Sequence, residues 1–242
     1  MKITNRPFGR ITAPVNHVYL DLGTGSITMG CSREGDENCR EIGNYPEAQA
    51  STPSLVPQAP SNTIYEPQNE GAAKPVAFGH AKPRSSKRHV QVSNVKIAIL
   101  PDREVYSYAY SLLVDASDRL GLSSVEQVTE DFLSFAVAHA INECGGQPKK
   151  GWVCSVPQSY GIADVQRFRS MIYRAGAIGS IDIHGESDCV LYASLPWIEN
   201  LIRNSKHAAF KQDRNYSILV AVLDLGAGTT VRIPKLRKTW TG

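Results

Sequence analysis

Two segments of this chain share one plan. Leu20-Asp21-Leu22-Gly23-Thr24-Gly25-Ser26 and Leu223-Asp224-Leu225-Gly226-Ala227-Gly228-Thr229-Thr230 each close an apolar stretch with an aspartate, followed by a glycine-rich turn carrying hydroxyls. Glycines let backbone N–H groups point inward at an anion, and Thr and Ser hydroxyls add further donors. An aspartate just before the turn suits a hydrated Mg2+, which keeps several waters and takes only one or two carboxylates. Two such turns facing each other would clamp a triphosphate from both sides. Either turn alone reads about as well as an ordinary hairpin with a surface aspartate; it is the repetition, each time after a buried-type strand, that argues against this. Neither segment matches GxxxxGK[ST], so a P-loop is not supported.

Periodicity places these turns in an α/β chain. Val15 to Leu22 alternates apolar and polar residues and predicts a strand running into the first turn, with a second strand over Ser26 to Met29. From Ser124, Val125, Val128, Phe132 and Phe135, with Leu133, Val137, Ile141 and Cys144, recur at helical spacing. Ser123 and Glu126 form a capping-box pattern at its start, and Gly145-Gly146 stop it. Trp152 to Val156 predicts a strand closed by Pro157. Val165 to Ala175 predicts a helix, Ile181 to Ile183 a strand, and Cys189 to Ile202 a helix interrupted at Pro196. Tyr216 to Leu225 reads as a strand buried on both faces. The alternation implies a layered α/β fold with a mostly parallel centre.

Between Gly43 and His89 the pattern breaks. Half of the 14 prolines fall there, so no regular helix runs through it, and short strands are expected only at Pro53 to Val56 and Pro75 to Phe78. The basic cluster Lys82, Arg84, Lys87 and Arg88 reads as a solvated loop.

Composition narrows the class further. A chain of 242 residues, 42% hydrophobic and 20% charged, is globular, and its net charge of +3 is too weak to argue for nucleic acid. The longest aliphatic run, Ile218 to Leu223, falls far short of the roughly 20 residues a membrane span needs. Met1 to Val18 does not read as a secretory signal. The 5 scattered cysteines suit reduced thiols and a cytoplasmic setting. A zinc site from Cys31, Cys39 and His17 would have to use a cysteine spacing that is not that of a knuckle.

Together these segments resemble the seventy-kilodalton heat-shock chaperones and their divergent relatives in the actin and sugar-kinase superfamily of ATPases. The first turn is similar to that family's phosphate 1 motif, with Asp21, Gly23 and Thr24 matching and Gly25 in place of a second threonine. Val156-Pro157, with the helix carrying Gln166-Arg167 and Ala175-Gly176, is similar to the family's strand, turn and long helix. Glu186 to Ala193 resembles its Glu-Pro-x-Ala-Ala-x-x-Tyr segment, with the proline and both alanines replaced. The second turn resembles phosphate 2, with Ala227 as the middle residue. The four segments follow the family's order over most of Val15 to Ile233, and the Val-Pro turn and Glu186 favour the chaperone branch over the sugar kinases.

The resemblance implies a mixed-sheet, ribonuclease H-like first lobe over 15–215, with a proline-rich insertion near 43–89. An extension over 1–14 precedes it, the first strands of a second lobe over 216–233 follow, and 234–242 form a basic tail without periodicity. It implies ATP and Mg2+ as ligands, with Asp21 and Asp224 holding the metal and Glu186 positioning the attacking water. Gly23, Thr24, Gly25, Ser26, Gly226, Ala227, Gly228 and Thr229 would line the phosphates. The family's γ-phosphate lysine is matched best by Lys96 in Val95 to Leu100, read as an amphipathic strand on which a solvent-facing lysine is equally natural, and next best by Lys82. Hydrolysis would rest on positioning and charge stabilisation. The second lobe stops short, so the expectation is a truncated ATPase whose strand at Tyr216 lacks sheet neighbours and favours self-association or a protein partner. The alternative is a non-catalytic interaction module that keeps the fold without the chemistry.

Overall fold

A computed structural model of the chain describes residues 14–33, 39–43, 58–81, 89–204, 216–220 and 236–240. β1 (Val15–Leu22) and β2 (Ser26–Arg33) form an antiparallel hairpin with Leu22 opposite Ile27, so the first glycine turn is its tip. The outer edge of β2 is shared by β3 (Arg40–Glu41) and β4 (Gln58–Pro60). On the other side of β1, β8 (Gly151–Val156) and β9 (Ile181–Gly185) add in parallel, giving the order β3-β2-β1-β8-β9. A second, antiparallel sheet runs β6 (Lys74–Phe78), β5 (Asn62–Glu66), β7 (Val90–Ser93). The chain is thus mixed α/β, with a mixed sheet flanked by helices.

Strand alternation sorts the large sheet into two faces. Cys31, Val18, Trp152 and Ile181 form one register row, and Met29, Leu20, Cys154 and Ile183 the next; both face the core. Thr28, Asp21, Ser155 and His184 form a row on the opposite face. The core is completed by α2 (Gln127–Glu143), through Val128, Phe132, Leu133 and Val137, and by α3 (Ile162–Arg174), through Phe168, Met171 and Ile172. α2 stops where Gly145 turns left-handed at φ 71° and the Gly146 N–H reaches back 2.9 Å to the Ile141 carbonyl, the glycine stop expected from the sequence.

Several expectations are corrected. Val95–Ile99 is a five-residue 3-10 turn, not a strand, and all five residues are buried. Alternation of Val95, Ile97 and Ile99 mimics a strand, but a turn enclosed on every side needs no polar face. The capping box is not formed: α2 begins at Gln127 with Glu126 before it, and the Ser123 hydroxyl donates to the Gln127 side chain instead. An unforeseen helix, α1 (Ser107–Arg119), precedes it. α4 spans Glu186–Asn204, starting three residues earlier than expected and continuing through Pro196.

The proline-rich stretch is more regular than its composition suggests. Pro75 sits on the edge strand β6 beside a register shift, a position that asks for no ladder donor. The strand expected at Pro53 to Val56 lies outside the described residues. In the tail, β10 (Tyr216–Val220) pairs antiparallel with β11 (Leu236–Trp240), so the tail does hold a strand and β10 does have a sheet neighbour. No helix among the described residues is long and apolar enough to cross a membrane.

Candidate functional site

A cavity of about 590 Å³ opens beside the carboxyl ends of β1 and β8 and the start of α4. In open α/β sheets that edge is where ligands settle, because loops from successive parallel strands converge there. Asp21 reaches the cavity from the sheet face opposite the core. Its register partner on β8 is Ser155, and the Ser155 hydroxyl donates to the Asp21 carboxylate. One carboxylate oxygen is thereby steadied by a neighbour fixed in the same sheet.

The turn after β1 supplies the second wall, through Gly23, Thr24, Gly25 and Ser26. A Cβ added at Gly23 would stand 2.9 Å from the Ser26 carbonyl oxygen, so the tip closes only with glycine there. Ser61, between β4 and β5, holds the turn from behind: its hydroxyl donates to the Thr24 carbonyl at 2.5 Å, and its N–H to the Gly25 carbonyl at 3.1 Å. In a trans peptide the C=O and the following N–H point in opposite directions. Binding those two carbonyls to Ser61 therefore turns the N–H groups of Gly25 and Ser26 away from Ser61, in a turn whose residues line the cavity.

Charge enters from two further segments. Lys96, on the 3-10 turn, places its Nζ 2.6 Å from Glu186 Oε1, with side chains only 4% and 17% exposed. An ammonium buried this far needs a partner, since an uncompensated buried charge is costly. Glu186 is the first residue of α4, directly after Gly185 of β9, where the helix dipole favours a carboxylate. Gln158, just past Val156-Pro157, accepts the Ser187 hydroxyl at 3.1 Å and ties the two strand ends together. Cys189, one turn into α4, also borders the cavity. Burial pushes its thiol up, and the carboxylates of Asp21, Asp188 and Glu186 add to the effect.

Asp21, Gly23, Thr24, Gly25, Ser26, Lys96 and Glu186 therefore surround one space, although they come from three separate stretches of sequence. Lys96 is the one cation lining it among the described residues. Asp224, Gly226, Ala227, Gly228, Thr229 and the runner-up Lys82 lie outside the described residues. Ser61, Ser155 and Gln158 were not foreseen; each acts through register or a turn contact that no local motif announces. The Asp21 carboxylate, neighbouring hydroxyls and room for water suit a hydrated divalent cation, which asks for little more from protein.

The zinc site considered from the sequence is not formed. Among the described residues no group of three or more His, Cys, Asp and Glu side chains is placed to hold a metal. Cys31 packs in the core, whereas Cys39 borders the cavity on the other face of the sheet.

No protein-family model matches the sequence, and no curated protein matches it. Among solved structures the chain is similar to MreB5 of Spiroplasma citri bound to ADP, with TM-score 0.40 and 13% identity over 93% of this chain and 52% of that one. A second crystal structure of the same protein, bound to AMPPNP, gives TM-score 0.37 and 14% identity over 93% and 53%. The chain spans about half the length of these structures.

Proposed function

We propose that this chain binds a magnesium–nucleoside triphosphate in the cavity at the end of β1, as the first lobe of an actin-like ATPase. One observation carries the reading: a glycine turn with an aspartate before it, a buried lysine and a helix-starting glutamate, far apart in sequence, border the same space. An anion there would meet the N–H groups of Gly25 and Ser26, the hydroxyls of Thr24 and Ser26, and the ammonium of Lys96. Asp21 would hold the metal, whose charge offsets that of the phosphates. In the resemblance, Asp224 and the turn Gly226 to Thr229 close the other side, within second-lobe strands that follow a first lobe at 15–215.

Turnover would ask Glu186 to orient water at the terminal phosphate while Lys96 neutralises it. A chaperone of the heat-shock seventy type is the finer form of this proposal. It rests on Val156-Pro157 and Glu186, which belong to the nucleotide side of the molecule and say nothing of clients. A lobe that keeps the fold without turnover is the second reading, favoured by the direct contact of Lys96 with Glu186, which engages each with the other.

Calorimetric titration of the purified chain with ATP and Mg2+ tests the proposal. Saturable binding that weakens on chelating Mg2+ supports it, and no binding at millimolar nucleotide sinks it.

A further inference from the structure

The 3-10 turn that carries Lys96 is held at both ends by side chains that never reach the cavity. At its start, Asn94 adopts the left-handed conformation at φ 58°, which asparagine tolerates better than most residues. The Thr129 hydroxyl, from the first turn of α2, donates to the Val95 carbonyl at 2.6 Å, with Thr129 fully buried. That carbonyl and the Lys96 N–H belong to one rigid peptide plane, so the bond sets the direction in which Lys96 leaves the backbone. At the other end, the Ile99 carbonyl accepts from Arg167 Nη2 at 3.0 Å and from the Tyr160 hydroxyl at 3.3 Å. Arg167 is itself steadied by Asp164 at 3.4 Å.

A five-residue turn has little internal hydrogen bonding with which to hold a shape. Its geometry is imposed from α2 and α3. A buried hydroxyl aimed at the one carbonyl preceding the cavity's cation is more than packing requires; valine would fill the same volume.

We infer that Thr129, seconded by Arg167, is a positioning residue that aims the Lys96 ammonium at the terminal phosphate of a bound nucleoside triphosphate. This rests on the nucleotide reading of the cavity and goes beyond it by naming the side chains, outside the cavity, that hold the turn from which Lys96 reaches that phosphate. A diphosphate lacks the group Lys96 is aimed at, so the clamp separates triphosphate from diphosphate affinity.

The test uses the full chain with Thr129→Val, Thr129→Ser and Arg167→Met, the last at a partly exposed position. Thr129→Val is expected to weaken Mg-ATP binding by about tenfold, in line with the cost of small misplacements at a binding group, while leaving Mg-ADP binding unchanged. Thr129→Ser, which keeps the donor, restores it, and Arg167→Met shifts ATP in the same direction by less. Equal losses for both nucleotides, or none for either, overturn the inference.

A second readout needs no nucleotide: acetylation of Lys96 by an amine-reactive ester, followed by mass spectrometry. It should speed up several-fold in Thr129→Val relative to the other lysines, and an unchanged Lys96 rate overturns the inference. Should the parent chain bind neither nucleotide, the nucleotide reading falls, and the labelling rate alone decides whether Thr129 holds Lys96.

Discussion

Lys96 Nζ contacts Glu186 Oε1 at 2.6 Å across 90 residues of sequence, joining a 3-10 turn to the first residue of a helix. Both groups sit in the cavity wall, so the contact is at once a structural tie and a store of opposite charges beside a phosphate-type turn. Removing either partner strands the other in a poorly hydrated place. Lys96→Met should destabilise the chain by about 2–4 kcal/mol, somewhat below the full cost at a completely buried pair because Glu186 keeps partial contact with water. Urea unfolding of Lys96→Met, Glu186→Gln and the double variant should reveal coupling of at least about 1 kcal/mol, and simple additivity would refute it.

Asp21 and Ser155 predict a metal dependence. In the parent chain, ATP affinity should fall by about tenfold or more when Mg2+ is chelated, because one or two protein carboxylates are what such an ion recruits. In Asp21→Asn the titrations with and without Mg2+ should coincide. Ser155→Ala removes one hydrogen bond and should shift Mg2+ affinity only modestly, by about 0.5–1.5 kcal/mol. An unaltered Mg2+ response in Asp21→Asn would exclude Asp21 as the ligand.

The two faces of β1 should respond differently to substitution. Leu20 lies in the core row between Met29 and Cys154, so Leu20→Ala should cost about 2–5 kcal/mol. Tyr19, one residue away on the other face, donates to Ser32 at 3.2 Å, and Tyr19→Phe should cost about 1 kcal/mol or less. Comparable losses at both positions, measured by denaturant midpoints, would contradict the register.

Alkaline stability provides a further check. Burial pushes the Cys154 thiol from its ordinary 9.0 up to about 12, with the Asp182 carboxylate adding to the effect. The folded chain thus holds a proton that the unfolded chain releases first. The corresponding stability is complete below pH 9 and drains away as pH rises toward 12. Between pH 8 and 10.5, Cys154→Ala should lose about 1–2 kcal/mol less than the parent chain. Equal losses would show that the thiol is not buried as described.

The elements legible in the sequence are those with two contrasting faces. β1 was recoverable to the residue because Val18, Leu20 and Leu22 face the core while Tyr19 and Asp21 do not, and α2 and α3 carry apolar stripes of the same clarity. The Lys96 turn was misread because a segment buried on all sides has no polar face to set its period. α1 was missed because it buries little, with Tyr108 and Leu112 exposed and only Leu113, Ala116 and Ser117 inside. β11 hides behind Arg237 and Lys238, basic types that do not advertise a strand. In the cavity, the motif residues could be named in advance because chemistry restricts which side chains sit in a phosphate turn. Ser61 and Ser155 could not, because a serine acquires its role only from what the pairing brings opposite it.

The parallel junction of β1 with β8 sets an order of events in folding. Ser155 meets Asp21 across 134 residues, and no hairpin can deliver that pairing early. The loop-closure entropy must be met before the contact returns anything. The hairpin that presents the glycine turn is local and forms on its own schedule, whereas the serine and the glutamate arrive only when the parallel half of the sheet docks, and the lysine meets its partner only then. A ligand that needs all of them should recognise the finished molecule alone, so adding it during refolding should raise the final yield of native chain without speeding the slow phase.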